Sequence, residues 1–97
     1  MTRFALIDIY SGFVWGVTDA ASPIDAARAV DTALNETDRE YIEHGPNSGA
    51  ERSGIGGYVV YEAPEGYDVE DGANPASRAA TERLPRAAVI EIQFRDD

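Results

Sequence analysis

Few side chains in this sequence have the types and spacing that chemistry requires. There is one histidine, His44, and no cysteine, so disulfides, thiolate metal sites and cysteine nucleophiles are excluded. His44 follows Glu43 beside a glycine-rich stretch, where a general base or metal ligand would be possible. No serine with a recognisable nucleophile context lies near it, and we expect His44 to be an exposed residue at a strand end.

Two loops resemble ligand-binding motifs but have the wrong context or spacing. Residues 54–57 (GIGG) precede a strand rather than a helix, and no lysine follows, so a phosphate cradle is not expected. Residues 68–72 (DVEDG) have the acids of a calcium loop, but the EF-hand needs glycine at position 6 and glutamate at position 12. Starting from Asp68, Gly72 falls at position 5 and Ala79 at position 12. Weak calcium binding by clustered carboxylates stays open.

Asp8 is a carboxylate among large apolar residues, and burying it is costly unless it is paired. We expect it to pair with an arginine such as Arg95 rather than to act as a site residue. No nucleophile, metal set or cofactor loop remains, so the sequence predicts a protein that is not an enzyme and has no catalytic, cofactor-binding or metal-binding residues.

Charge is the strongest signal. Eighteen acids oppose eight bases, all arginine, for a net charge of -10. Direct binding to nucleic acid or to an anionic membrane is therefore disfavoured, and a basic partner would be attracted.

The predicted partner-binding residues fall in two groups. The acidic segment, residues 62–71, contains no base and comprises Glu62, Glu65, Tyr67, Asp68, Glu70 and Asp71, of which Tyr67 is the expected exposed aromatic anchor. The second acidic cluster comprises Glu36, Asp38, Glu40 and Glu43.

The first half of the chain predicts a hairpin followed by a helix. Strands at 3–10 and 13–19 flank a turn at Ser11-Gly12, and the first strand is apolar on both faces. Gly16 suggests a bulge or a close backbone approach. Ser22 and Pro23 start the main helix, at about 23–35, whose polar face includes Asp31.

The second half predicts three strands and a short helix. Residues 38–44 fit a helix or a strand, and we favour the strand. A loop at 45–57, a strand at 57–63, a helix at about 75–83 capped by Asn74 and a strand at 86–95 follow. In the last strand Ala88, Ile90, Ile92 and Phe94 face inward, while Glu91 and Gln93 face outward.

These elements predict a single α+β domain, residues 1–97, with a mainly antiparallel sheet and its helices on one face. No apolar run approaches the roughly 20 residues of a membrane span, and no leader precedes the first strand, so we expect a soluble, cytoplasmic protein.

In size, charge, lack of cysteine and its two acidic groups, the chain resembles the small acidic inhibitors of phages and mobile elements, such as anti-CRISPR and anti-restriction proteins. The resemblance implies a basic, nucleic-acid-handling partner, a CRISPR effector or nuclease, blocked by occlusion without catalysis. Carboxylates two apart on a strand stand roughly 6.6–7 Å from one another, close to the spacing of successive phosphates. The alternative is a small regulatory or antitoxin-like domain whose acidity serves solubility or salt adaptation. The sequence leaves the oligomeric state open.

Overall fold

A computed structural model describes residues 1–31, 39–48 and 56–94 of the chain. Within these residues the elements, in chain order, are β1 Thr2–Asp8, β2 Val14–Ala20, α1 Pro23–Val30, β3 Arg39–His44, β4 Gly57–Ala63, α2 Pro75–Glu82 and β5 Arg86–Phe94. The strands form one sheet in the order β2-β1-β4-β5-β3, and every neighbouring pair is antiparallel. The predicted α+β class is confirmed.

Helix α1 covers the first face of the sheet. Phe4 and Leu6 of β1 lie on this face, and they pack with Ala26 and Ala27 of the helix. The two alanines are completely buried, and their small side chains let the helix backbone approach the strands closely. The remaining buried members of this core are Ala20, Tyr58, Val60, Ala88, Ile90 and Ile92.

The second face carries its own core and its own cover. Ile7 and Val14 pack there with Val59 and Tyr61, and Val69 and Leu84, which flank α2 in the chain, lie against them. Helix α2 contacts β1. The prediction that both helices share one face is therefore wrong. Since β1 is apolar on both sides, as the sequence indicated, each side needs a separate cover.

The end of α1 differs from the prediction. Ser22 caps the start, accepting the Asp25 N–H at 3.3 Å, but the helix ends at Val30 with Asp31 as its C-cap, short of the predicted end at 35. Residues 32–35 lie outside the described residues. Asp31 was expected to face outward, yet its Oδ2 accepts the Tyr58 hydroxyl at 2.5 Å and its carbonyl accepts the Tyr41 hydroxyl at 3.4 Å. These bonds join the end of α1 to the sheet.

Residues 39–44 form a strand, β3, as predicted, and it lies at the edge of the sheet beside β5. Glu91 of β5 is opposite Ile42 of β3, and its exposure differs from the prediction. This glutamate in β5 was expected to face solvent but is 7% exposed. Its carboxylate accepts the Gln93 side-chain N–H at 2.6 Å and lies 3.4 Å from His44 Nε2. His44 is therefore a half-buried residue with its Nε2 beside a carboxylate, rather than an exposed strand end.

The remaining boundaries agree with the sequence to within a few residues. Strand β4 and the cap formed by Asn74 are as predicted, and α2 ends one residue early. Strand β5 extends to Phe94, and the last residue of its predicted range, 95, lies outside the described residues. The hairpin turn is longer than two residues, because β1 ends at Asp8 and β2 begins at Val14.

Asp8 Oδ1 accepts the backbone N–H groups of Tyr10 at 2.9 Å and Ser11 at 3.0 Å. Backbone amides thus bind one oxygen of the carboxylate that we expected an arginine to pair, and Arg95 lies outside the described residues.

Neither helix within the described ranges is long and apolar enough to cross a membrane.

Replacing Tyr58 with phenylalanine tests the link between α1 and the sheet. Burial, reinforced by the hydrogen bond to Asp31, raises the pKa of Tyr58 far above its usual range. An unfolded tyrosine ionises near pH 10 whereas the folded one does not, so wild-type stability should hold up to about pH 10 and then fall. Burial also raises the pKa of Tyr61. Tyr58→Phe should therefore lower the unfolding free energy by about 1.5–3 kcal/mol at pH 8. It should also roughly halve the rate at which the unfolding free energy falls with pH above about pH 10, the alkaline slope.

Urea unfolding between pH 8 and pH 11 measures both effects. Tyr10→Phe is the matched control, since Tyr10 is 66% exposed, and it should leave the slope unchanged. Equal alkaline slopes in the wild type and Tyr58→Phe would contradict this account of the contact.

Candidate functional site

The acidic segment belongs to the connection between β4 and α2. It begins at Glu62 in β4 and crosses the second face, where Val69 packs against the core. It ends beside the outer edge of β2, where Gly72 forms an isolated antiparallel bridge to Val14. The Val14 N–H donates to the Gly72 carbonyl at 2.8 Å, and the Gly72 N–H donates back at 2.9 Å. The segment is thus held to the sheet at both ends.

Tyr67 supports this segment from inside. Its hydroxyl lies 3.3 Å from Oγ1 of Thr81, which is fully buried in α2, and its carbonyl accepts the Arg3 Nε–H at 2.6 Å. The prediction of an exposed aromatic anchor is therefore wrong. Residues 67–70 alternate between half-buried and exposed, so Tyr67 and Val69 point inward while Asp68 and Glu70 face solvent. This period of two is visible in the sequence and could have placed Tyr67 inside.

The acids of the segment are all exposed, as expected for a binding surface. Within the described part of the chain, none of them has a basic group within 4.0 Å. The local hydrogen bond that Asp68 makes is to the adjacent N–H of Val69. In contrast, the exposed acids that form an ion pair with another described residue are Asp19 with Arg3, Asp25 with Arg28 and Glu82 with Arg78. The negative charge of the segment is therefore not compensated by neighbouring arginines.

Asp71 is also held by packing. Its carboxylate occupies the space beside Gly16, where an added Cβ would collide with Oδ1. Gly16 has a φ of 73° and lies where the β1–β2 register shifts, so the predicted bulge and close approach are both confirmed. A residue without a side chain at position 16 lets the acidic segment lie directly on β2.

The second acidic cluster does not join the first. Glu36 and Asp38 lie outside the described residues. Glu40 and Glu43 are in β3, and Glu43 is exposed. Strand β3 forms the edge of the sheet opposite β2, whereas the acidic segment ends beside β2. The described residues of the two groups therefore do not form one continuous surface.

The other candidate chemistry of the sequence is not assembled into a site. Among the residues the structure describes, no three histidine, aspartate or glutamate side chains converge on a position that could hold a metal ion. No protein family, curated protein or solved structure matches the chain. The acidic segment is the predicted site that retains a defined geometry.

Gly16→Ala tests whether the close approach to β2 positions the segment. The new methyl group would adopt an unfavourable backbone conformation and displace Asp71, so we expect a loss of about 2–4 kcal/mol of unfolding free energy. Gly66→Ala is the control, because Gly66 also has a positive φ, of 82°, but has no atom within 4 Å of the added Cβ. It should cost about 1–2 kcal/mol.

Adding Asp71→Ala to Gly16→Ala removes the collision, so the double variant should be about as stable as Gly66→Ala. Chemical denaturation of the wild type, the two glycine variants and the double variant measures the unfolding free energies. A Gly16→Ala variant no less stable than Gly66→Ala would show that the segment does not rest on β2.

Proposed function

We propose that the protein is a non-enzymatic, protein-binding inhibitor of the anti-CRISPR type, whose acidic segment occludes a basic surface that otherwise binds nucleic acid. The observation that carries this proposal is the set of exposed carboxylates at residues 62–71 with no ion pair to a described arginine. A partner rich in arginine or lysine would supply the missing cations.

The attachment of the segment strengthens this interpretation. Binding by a loose acidic tail is opposed by the entropy lost when the tail becomes ordered. Here the bridge between Gly72 and Val14 and the inward packing of Tyr67 and Val69 fix the backbone beforehand. Most of the ordering cost is thus met during folding rather than during binding.

Spacing and screening also favour a partner that binds phosphates. Asp68 and Glu70 are two residues apart and both exposed, and in an extended backbone that separation is roughly 6.6–7 Å. That distance is below the Debye length of about 8 Å at physiological ionic strength, so neighbouring carboxylates act together on one cationic groove. Steering by such a field raises the association rate and makes binding sensitive to salt.

The alternative function is a small regulatory or antitoxin-like domain whose acidity serves solubility or adaptation to salt. It draws on the net charge of -10 and the absence of lysine. In that case stability should rise steeply into molar KCl through screening of self-repulsion, and individual acids should matter little for binding.

Neutralising the unpaired acids tests the proposal. A bait with Glu65→Gln, Asp68→Asn and Glu70→Gln should lose the partner that wild type captures from host lysate at low salt, with at least tenfold lower recovery. The captured protein should be a nucleic-acid-binding protein, a CRISPR effector or nuclease, that high salt releases and that duplex DNA competes from the bait. Mass spectrometry and a competition titration provide the readout.

The matched control neutralises three ion-paired acids instead, with Asp19→Asn, Asp25→Asn and Glu82→Gln. Both triple variants have the same net charge, and exposed ion pairs contribute little to stability. The control should retain the partner. Equal capture by both triple variants would mean that overall charge, not the acidic segment, governs binding, and would favour the alternative.

A further inference from the structure

A concave site lies between α2 and the second face of the sheet, at the end of β1. Its apolar wall is formed by Ile7, Ile9 and Val59, and its volume is about 160 Å³. A cavity of roughly 150 Å³ holds a benzene ring, so this cleft suits an apolar group of about six non-hydrogen atoms. It is lined by none of the residues of the acidic segment.

Charges of both signs surround this apolar wall. Arg78 and Glu82 contribute from α2, Arg86 from the start of β5, and Asp8 from the end of β1. Both of the hydrogen bonds that Asp8 accepts from described residues end on its Oδ1, which leaves Oδ2 as a second acceptor toward the cleft. A ligand in the cleft therefore meets cationic and anionic groups within the same small volume.

The guanidinium of Arg78 is held in a defined orientation. Its Nε donates to Glu82 Oε1 at 3.0 Å, and its terminal nitrogen lies against Gly12, where an added Cβ would collide. Neither terminal Nη of Arg78 forms a hydrogen bond to the described residues. Two parallel N–H donors of this kind match the two oxygens of a carboxylate.

Tyr61 and Arg86 close the other side. The Arg86 Nη1–H donates to the Pro46 carbonyl at 3.3 Å. Burial raises the pKa of Tyr61 above its usual range, although the hydrogen bond with Arg86 opposes that shift. The hydroxyl of Tyr61 is therefore a neutral hydrogen-bonding group at neutral pH.

We propose that this cleft binds a free α-amino acid with an apolar side chain. The carboxylate pairs with Arg78, the ammonium pairs with Asp8, and the side chain lies on Ile7, Ile9 and Val59. A simple anion of the same size is disfavoured because the protein has a net charge of -10, whereas a zwitterion carries no net charge into that field. This inference does not depend on the function proposed for the acidic segment.

Backbone amide chemical shifts report on binding of L-leucine. The amides of Ile9 and of residues 78–82 should shift along saturable curves, with a dissociation constant on the order of 1 mM for so open a cleft. Two analogues of L-leucine test the contribution of each charged group to binding. The first, 4-methylpentanoate, lacks the ammonium group, and the second, 3-methylbutylamine, lacks the carboxylate. Each should bind at least about tenfold more weakly than L-leucine.

Two variants test the assigned contacts. Arg78→Gln and Asp8→Asn should each weaken L-leucine binding about tenfold, and the asparagine keeps the oxygen that accepts the turn amides. Arg83→Gln is the control, since Arg83 is exposed in the same stretch but does not line the cleft, and it should bind like wild type. The dispersion of each spectrum verifies that the variant is folded.

The proposal fails if L-leucine causes no saturable shift at about fifty times the expected constant, or if Arg78→Gln binds as wild type does. Tighter binding of 4-methylpentanoate than of L-leucine would contradict the zwitterion assignment. The variant with Glu65→Gln, Asp68→Asn and Glu70→Gln should still bind L-leucine, so failure of either proposal is distinguishable from failure of the other.

Discussion

The pair of hydrogen bonds between Gly72 and Val14 is the constraint on which the rest of the architecture depends. It returns a long connection to the sheet, so that residues 64–72 become part of the fold rather than an open loop. It also occupies backbone groups at the edge of β2, which an exposed edge strand would leave open to pairing with other chains. Because the bridge fixes the far end of the segment, Val69 can cover the core and Asp71 can lie beside Gly16.

One stretch of chain therefore serves both packing and charge. Strand β1 is buried on both sides, so the second face needs a cover in addition to helix α1. The acidic segment and α2 provide that cover, with Tyr67 and Val69 directed inward and the alternate residues Asp68 and Glu70 directed outward. The backbone that carries the charges is consequently attached to the core beneath it. This coupling connects the fold to the proposed inhibitor function.

Local patterns predicted the elements well, and their limits have physical causes. The strand at 57–63, the caps Ser22 and Asn74 and the bulge at Gly16 follow from local chemistry. The half-buried position of Asp31 and the buried position of Glu91 are set by Tyr58 and His44, partners distant in the sequence that local periodicity cannot show. The cleft beside α2 likewise joins residues from four elements. Composition was enough to identify the acidic residues, but it could not predict that the segment carrying them is attached to the sheet.

Backbone ¹⁵N relaxation shows whether the fold holds the acidic segment in one conformation. Residues 65–71 should then have order parameters of about 0.85, equal to those of β4 in the same protein. Values below about 0.6 across these residues, beside a rigid β4, would contradict it. The acids would then belong to a loose acidic loop, and the fold would not arrange them for a partner.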